Sequence, residues 1–489
     1  MSRMDVLKTM KYMARNGVLS AYYAARERLE ARKHPYTFEP ECEEVLAKQR
    51  KLYLGKDANL GGANPGNGNL QNRNLKNENR MDGKHYPLVS ILVPAYETPK
   101  QYLQALLDSV CNQTYPFWEL LIADASSSDA VRDAVSEYQE KRKQKTGKMD
   151  PNETNTVNQN PGEQDQENAP AGEIRYVRLA SNEGISGNTN QGLDFTKGEY
   201  VALLDHDDLI EPDALHALVQ KALETDADLV YSDEDKCDEN GGGYNSPHYK
   251  EDFNLDMFLT NNYICHFTMI RAGVIKKLRF RPEYDGAQDY DLFLRVLALC
   301  GRDKMAHVPK ILYHWRCHEG STAMNPSSKD YAYEAGKEAL SDYYRQKGLK
   351  VLVKHGKHLG FYDTIYMEKD LFVQRPEIGA VGGPLIQGKY ICGGAMTQDG
   401  TCLYEGLNKH YSGYMNRADL TRDVEALDLR NIRVRKELQT LPGEILKERP
   451  ELATDVVGLS LEMSKRIRQK GYLLIYNPRM RQDKTMPVV

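Results

Sequence analysis

VALLDHDDLIEPDAL, residues 201–215, is the stretch whose reading decides the fold. Val201 to Leu204 form a short unbroken apolar run, the pattern of a strand buried on both faces of a parallel sheet. Asp205, His206, Asp207 and Asp208 follow at its carboxyl end. Pro212 then suits a first helical turn beside Glu211, and Ala214, Leu215 and Leu218 recur at helical spacing. The stretch predicts a strand, an acidic loop and a helix. In open α/β sheets ligands bind outside the carboxyl ends of the strands, and two carboxylates one residue apart can share a hard cation that also holds phosphate oxygens. Acids that merely end a strand and start a helix give the same local pattern, so the rest of that edge matters.

The rhythm recurs on both sides of it. LVSILVPA, 88–95, reads as a strand, leading through Thr98-Pro99 into a helix that carries Tyr102, Leu103, Leu106, Leu107 and Val110. ELLIAD, 119–124, is followed by a polar turn and a helix over 129–142; IRYVRLA, 174–180, leads into a helix ending near Gly198; DLVYS, 228–232, is a fifth strand. Strands alternating with helices imply right-handed crossovers and an α/β fold with a mostly parallel sheet, whose carboxyl ends line one edge. Tyr96, Glu97, Asp124, Asn182, Gly184, Ser186 and Asp205 to Asp208 all fall on that edge. Each alone could be a turn residue; together they form one acid-rich rim. No G-x-G-x-x-G or G-x-x-x-x-G-K-S/T occurs, which disfavours dinucleotide and P-loop binding.

With 489 residues the chain has length for two or three domains, and a net charge of −5 gives no reason to expect nucleic-acid binding. The eight cysteines are scattered without a C-x-x-C pair, which suits reduced thiols in a cytosol. No segment approaches about 18–20 apolar residues, so a soluble, cytoplasmic protein is expected. Residues 1–54 read as an N-terminal helical region: amphipathic over 4–33, with a second short helix from Glu41 to Tyr53. The first either packs on the next domain or, through Lys8, Lys11, Arg15 and the Arg26–Lys33 cluster, lies at the inner face of the cell membrane as a peripheral contact. Residues 55–86 hold eight asparagines between Asn59 and Asn79 and read as a flexible linker; 143–172 reads as a disordered insert.

Taken in order, the motifs from Leu88 to about Val353 resemble the family 2 glycosyltransferases, inverting enzymes of the GT-A fold that use nucleotide sugars. VSILVPAYE resembles their first nucleotide-binding strand, which brings in Pro94 and Ala95 beside Tyr96 and Glu97. LLIADASSSD resembles the second, with Asp124 at the base. NEGISGNTNQGL resembles the supporting loop, with Asn182, Gly184 and Ser186, and LLDHDD the metal-binding D-x-D. YSDEDK and HYKEDFNLDMFLTNNYICH resemble the subgroup that builds bacterial rhamnose-containing and other surface polysaccharides. GAQDYDLFLRV, 286–296, resembles the helix start that carries the catalytic base. It also reads independently as a glycine turn and a helix whose Leu292, Phe293, Val296, Leu297 and Leu299 make a buried stripe, with Asp289 in the first turn. In HVPKILYHWRCHEGSTA, 307–323, a strand ends in Arg316, His318 and Ser321, and His318 is favoured over His314 as a metal ligand because His314 lies inside the strand.

The resemblance implies a boundary near 87–355 for the transferase domain, Asp289 as base, and Asp205, His206 and Asp207 with the other rim residues on the nucleotide sugar. It implies Mg2+ or Mn2+ held by Asp205, Asp207 and His318, and Asp233, Glu234, Asp235, Gln288 and Arg316 near donor and acceptor. The donor would be a UDP- or dTDP-linked sugar and the acceptor a glycan or lipid-linked glycan. Leu278-Arg279-Phe280-Arg281 replaces the glycine pair expected before the base, which keeps a non-catalytic nucleotide-sugar-binding scaffold open; a metal-dependent nucleotidyltransferase is the other alternative. Residues 356–489 resemble a degenerate, partial α/β repeat of the same domain: DLFVQRPEIGAVGG, 370–383, and GYLLIYNP, 471–478, match, but no nucleotide-binding half and no D-x-D precede them.

Overall fold

The computed structural model describes residues 10, 12–31, 33, 36–53, 80–81, 84–146, 172–318, 330–367 and 370–480. Most of the linker expected over 55–86, most of the insert expected over 143–172, and Ser321 lie outside these residues. The chain divides into a larger unit, Tyr36–Phe253 with Ile264–Ala339, and a smaller one, Met1–Pro35 with Asn254–Tyr263 and Leu340–Val489. Helix α1 (Val18–Ala31) belongs to the smaller unit and α2 (Glu43–Leu52) to the larger, so the helical region expected over 1–54 is divided. Among the described residues no helix is long and apolar enough to cross a membrane.

In the larger unit the chain runs β1 (Val89–Ala95), α3 (Lys100–Cys111), β2 (Trp118–Asp124), α4 (Ala130–Thr146), β3 (Glu173–Arg178), α5 (Gly184–Leu193) and β4 (Tyr200–Leu203). It continues through β5 (Leu209–Ile210), α6 (Ala214–Thr225), β6 (Leu229–Cys237), β7 (Asn245–His248), β8 (Thr268–Arg271), α7 (Ala272–Leu278), α8 (Gln288–Cys300) and β9 (Met305–Arg316). Helix α9 (Asp330–Gln346) follows, with the unit boundary inside it at Leu340. The sheet order is β3-β2-β1-β4-β8-β6-β9-β5, with β7 on β6. All of β2 and all of β1 except Pro94 are buried, as central parallel strands covered on both faces must be. Helix α5 lies so close to them that a Cβ on Gly192 would meet Leu92 Cδ1 at 2.7 Å and Ala123 Cβ at 3.0 Å.

Three features depart from the sequence reading. The acidic loop does not lead straight into a helix; β5 intervenes, antiparallel to β9, and α6 begins at Ala214. The four-residue strand β8 lies antiparallel between β4 and β6, so the sheet is mixed although β1, β2, β3, β4, β6 and β9 run the same way. The fifth strand, expected over 228–232, spans nine residues and carries Asp233, Glu234 and Asp235 inside the sheet. They are tolerated there because each has a partner. Asp233 meets His307 Nε2 at 2.8 Å; Asp235 meets His314 Nδ1 at 2.6 Å and accepts from Tyr36 Oη at 2.7 Å. Glu234 meets His266 Nδ1 at 3.1 Å and Lys250 Nζ at 3.4 Å. Burial pushes the Glu234 carboxyl up, but the Lys250 charge and the hydrogen bonds from His248 and His266 hold it well below the usual range.

The smaller unit has a four-stranded sheet of β12 (Ile378–Gly382), β13 (Arg422–Asp423), β14 (Ile432–Val434) and β15 (Leu473–Tyr476), preceded by the antiparallel hairpin β10 (Val351–His355) and β11 (Tyr362–Tyr366). β12 and β15 pair in parallel, joined by a path that includes α10 (Leu441–Glu448) and α11 (Val456–Gln469). Residues 254–263 belong here for a visible reason. Asp256 receives both guanidinium nitrogens of Arg375, at 3.0 and 2.9 Å, and Asn254 exchanges hydrogen bonds with the Asp423 backbone at 2.8 and 2.9 Å. The boundary expected at 355 therefore falls inside this unit, and a chain ending there would lack Arg375.

Two outcomes follow. Arg375→Ala removes the two-point guanidinium contact from a buried carboxylate, which costs about 3–5 kcal/mol and should lower the melting temperature of the smaller unit by roughly 10 °C in calorimetry. His314 is buried between Asp235 and Glu211, 2.6 and 2.9 Å away. Burial favours its neutral form, but the two carboxylates prevail and raise its pKa above the ordinary 6.5. Its folded pKa exceeds the unfolded one, so its stabilisation is complete below pH 6.5 and is lost as pH rises through the folded value. Melting curves of the wild type and His314→Gln should therefore converge on the alkaline side, whereas a constant gap between about pH 6 and about pH 9 would refute a charged His314.

Candidate active site

The parallel strands β1 to β4 bring the rim residues to one edge, with Ala95 paired to Asp124 and Asp124 to Arg178 in register. Pro94 and Ala95 lie in β1, and Tyr96 just beyond is 51% exposed. Glu97 faces the turn after β2, where its carboxylate accepts from the Ser127 and Ser128 amides at 2.8 and 3.1 Å and from both hydroxyls. Those donors, the Ser128 hydroxyl foremost, hold its pKa down to about 2. Asp124, expected to face a base, is fully buried and accepts from Ser126 N at 2.9 Å and Tyr176 Oη at 2.7 Å. Asn182 closes its own loop, its Oδ1 accepting from Gly184 N at 3.2 Å and Asn188 Nδ2 at 2.9 Å. Ser186 is buried, and its Oγ has no hydrogen-bond partner among the described residues.

The loop after β4 presents its acids in different environments. Asp208 is buried and accepts from the Tyr313 hydroxyl and from Arg316 N at 2.7 Å, which pins the loop to β9. Burial, reinforced by the charges of Asp207 and Asp205, pushes its carboxyl well above the usual range. Asp205 and Asp207 stay nearer the surface, and His206 Nδ1 lies 3.0 Å from Thr98 Oγ1. His318 Nε2 meets Asp207 Oδ2 at 2.8 Å, while Asp205 Oδ2 faces His266 Nε2 at 3.6 Å. The three expected metal ligands are thus split between two pairs, and among the described residues no three His, Cys, Asp or Glu side chains form an assembled metal group. In ligand type, two carboxylates and an imidazole nevertheless suit Mn2+, and the carboxylate oxygens suit Mg2+.

Arg316, expected near donor or acceptor, is instead buried behind the loop. Its Nε donates to Asp207 O at 2.5 Å, its Nη1 to Glu239 O at 2.8 Å, and its guanidinium lies over the Tyr102 ring at 5.0 Å. Asp233 and Asp235 are likewise engaged with His307 and His314 inside the sheet and do not reach the rim. Glu234 reaches it indirectly: His266 bridges Glu234 and Asp205 and stacks on Tyr313 with ring centroids 4.7 Å apart. Burial lowers the His266 pKa, but Glu234, Asp205 and Asp208 together raise it to about 9.

Helix α8 starts from Gly286, whose φ of +96° and contacts leave no room for a side chain: a Cβ would sit 2.7 Å from Tyr331 Cε2 and 3.0 Å from Ala332 Cα. Gln288 Oε1 accepts from Gly286 N at 2.7 Å. Asp291 is the buried acid of this turn, paired with Arg281 and with Arg295 Nη2 at 2.6 Å. The residues that replace the expected glycine pair are therefore structural, Arg281 through Asp291 and Phe280 through its amide to Asn190 Oδ1 at 2.8 Å. Asp289 is partly exposed and accepts from Tyr290 N at 2.8 Å. The Cys265 thiol is raised well above its usual range by burial and by the charges of Glu234, Asp289 and Asp205. Sequence reasoning missed His266, Lys250 and Tyr313; the only signal was the placing of His248, Lys250 and His266 within one quoted motif.

Residues 90–155 and 163–279 match the family described as glycosyl transferase family 2. The chain is 35% identical over 259 residues to an uncharacterized protein of Sinorhizobium fredii, covering 53% of this chain and 25% of that one. It is 27% identical over 268 residues to an O-antigen biosynthesis protein of Myxococcus xanthus, covering 54% of this chain and 18% of the other. The chain thus spans a quarter or less of the length of these two relatives. Among solved structures it is similar to a mannosyltransferase from Pyrobaculum calidifontis in complex with GDP-Man and Mn2+, at 15% identity and a TM-score of 0.37, over 62% of this chain and 71% of that one. The matched residues supply the strands and helices that carry the acid-rich rim, and over them the larger unit is similar to glycosyl transferase family 2.

Proposed function

We propose that this chain transfers a sugar, with inversion, from a nucleoside-diphosphate donor to a glycan or lipid-linked glycan in bacterial surface-polysaccharide synthesis. The observation that carries this reading is the arrangement of Asp205 and Asp207 on a sheet rim whose residues match family 2, with Asp289 in the first turn of the helix that follows Gly286. Asp205, Asp207 and His318 would hold Mn2+ or Mg2+, which when bound supplies positive charge for the departing diphosphate. Asp289 takes the proton from the acceptor hydroxyl as its oxygen bonds to the anomeric carbon. The bond from that carbon to the phosphate oxygen breaks, and the nucleoside diphosphate leaves with the electron pair. Arg281 and Arg295 position this base by fixing Asp291 two residues on. The Tyr96 ring and the loop of Asn182, Gly184 and Ser186 are the rim's contribution to nucleotide binding. We read 356–489 as a non-catalytic partial repeat. Exposed Val18, Leu19, Tyr22 and Leu29 on α1, beside Arg26 and Arg28, suit a peripheral contact with an anionic bilayer on the cytoplasmic side, where lipid-linked acceptors are reached.

A panel of UDP-, dTDP- and GDP-linked sugars, with and without Mn2+, should yield a nucleoside diphosphate; release of pyrophosphate would identify a nucleotidyltransferase instead. Asp289→Asn should lower turnover by roughly 10²–10⁴-fold with donor affinity nearly unchanged, since a general base acts in the transition state and not in binding. Unchanged turnover removes Asp289 from that role. Asp207→Asn should weaken Mn2+ binding, read by electron paramagnetic resonance, by about tenfold or more, whereas Asp291→Asn should leave the ion's affinity intact and lower thermal stability.

A further inference from the structure

The smaller unit contains a cavity of 220 Å³ that the transfer reaction does not use. At about 30 Å³ per water it has room for roughly seven waters, the space of one six-membered sugar ring. Leu255 and Leu259 give it an apolar wall. Tyr343, Tyr344 and Tyr366 give it an aromatic one, their rings meeting edge to face at 5.6 Å and 72° and at 5.9 Å and 82°.

Its charge is already balanced. Arg375 Nη1 donates to Asp256 at 3.0 Å and to Tyr366 Oη at 2.9 Å, Nη2 donates to Asp256 at 2.9 Å, and Nε donates to Glu377. Four of the five guanidinium N–H groups are thereby engaged, and the cavity's two cations, Arg375 and Lys347, whose Nζ lies 5.9 Å from the Tyr343 ring centroid, are matched in number by the carboxylates of Asp256 and Glu377. Gln374 is different. It lines the cavity, and its Nε2 and Oε1 are both buried with no hydrogen-bond partner among the described residues. Its backbone is held by the turn Leu371–Gln374, which Asp370 caps through Phe372 N at 3.1 Å. A fixed amide that offers one donor and one acceptor side by side matches two adjacent hydroxyls, and tyrosine rings match the C–H face of the same ring.

The geometry points to a saccharide-binding site here that takes one neutral pyranose ring, held by Gln374 and by the tyrosine wall. We assign the ring to the acceptor chain, and that assignment alone rests on the proposed transfer reaction.

The test uses the full chain with UDP present to fill the donor site. Methyl α-D-glucopyranoside, methyl α-D-mannopyranoside and methyl α-L-rhamnopyranoside, neutral rings that differ in hydroxyl orientation, are tested by saturation-transfer NMR. At least one should bind, Asp289→Asn should leave that binding unchanged, and Gln374→Leu should weaken it by about tenfold. Gln374→Leu should also hold or raise the melting temperature, because leucine replaces two unmet buried polar atoms at similar volume. Binding by none of the three, binding indifferent to Gln374→Leu, or a fall in melting temperature revealing a protein partner for the amide would each overturn the site. Nucleoside diphosphate release by the same sample keeps the two readings apart. Release without pyranoside binding removes the site and leaves the reaction, whereas binding without release leaves the site and removes its assignment to an acceptor.

Discussion

Three successive carboxylates can be buried in one strand only if each meets a donor, and that requirement organises the larger unit. Strand alternation sends Asp233 and Asp235 to one face of β6 and Glu234 to the other. The first face is answered by His307 and His314 of β9, the second by Lys250 and by His266 just before β8. Leaving one of these acids unpaired would cost several kcal/mol, more than an average hydrogen bond contributes. The neighbours of β6 are thus fixed by charge pairing as well as by apolar burial, and a four-residue antiparallel strand becomes worth inserting between two parallel ones.

The same network reaches the rim. His266 passes the constraint from Glu234 to Asp205, and its ring rests on Tyr313, whose hydroxyl donates to Asp208. Asp208 is the buried foot of the loop, so Asp205 and Asp207 are presented near solvent by a segment that is neither strand nor helix. Three acids within four residues repel one another. Burial of Asp208 favours its protonated form and relieves part of that repulsion, while Asp205 and Asp207 keep the negative field that draws a cation and, with it, a diphosphate.

What the sequence disclosed follows from this division of labour. β1 and β2 were legible because both of their faces are apolar, and α8 because its buried stripe repeats at helical spacing after a glycine that nothing else could replace. β5 and β8 were not legible, having two and four residues and no period to read. The second half of β6 looked like an acceptor-side loop because its polarity is matched by histidines far along the chain: Asp233 and His307 are 74 residues apart. Composition cannot show such a pairing. Asp124 and Arg316 were placed on the correct elements, but their burial depends on Tyr176, Glu239 and Tyr102, which no linear motif announces. The membership of 254–263 in the smaller unit was hidden for the same reason, since its anchor Arg375 lies 119 residues beyond Asp256.

The smaller unit repeats one strand pairing of the larger without its charged partners. In the larger unit β6 and β9 are parallel neighbours, and the helix α8 between them in sequence begins beside Asp289; in the smaller unit β12 and β15 are parallel neighbours, and α11 begins at Asp455. There the likeness stops. Strand β12 reads Ile-Gly-Ala-Val-Gly, fully buried and without an acid, so no histidine is called for on the facing strand. Asp455 caps its helix by accepting from Gly458 N at 2.8 Å, the ordinary work of an aspartate at that position. Apolar burial alone preserves this topology, as the cluster of Leu427, Ile445, Leu459, Met463, Ile467 and Leu474 makes plain. A carboxylate rim, by contrast, needs a buried partner for every acid it turns inward. The histidines and the lysine that face β6 therefore separate the two units more sharply than the strand-helix-strand pattern they share.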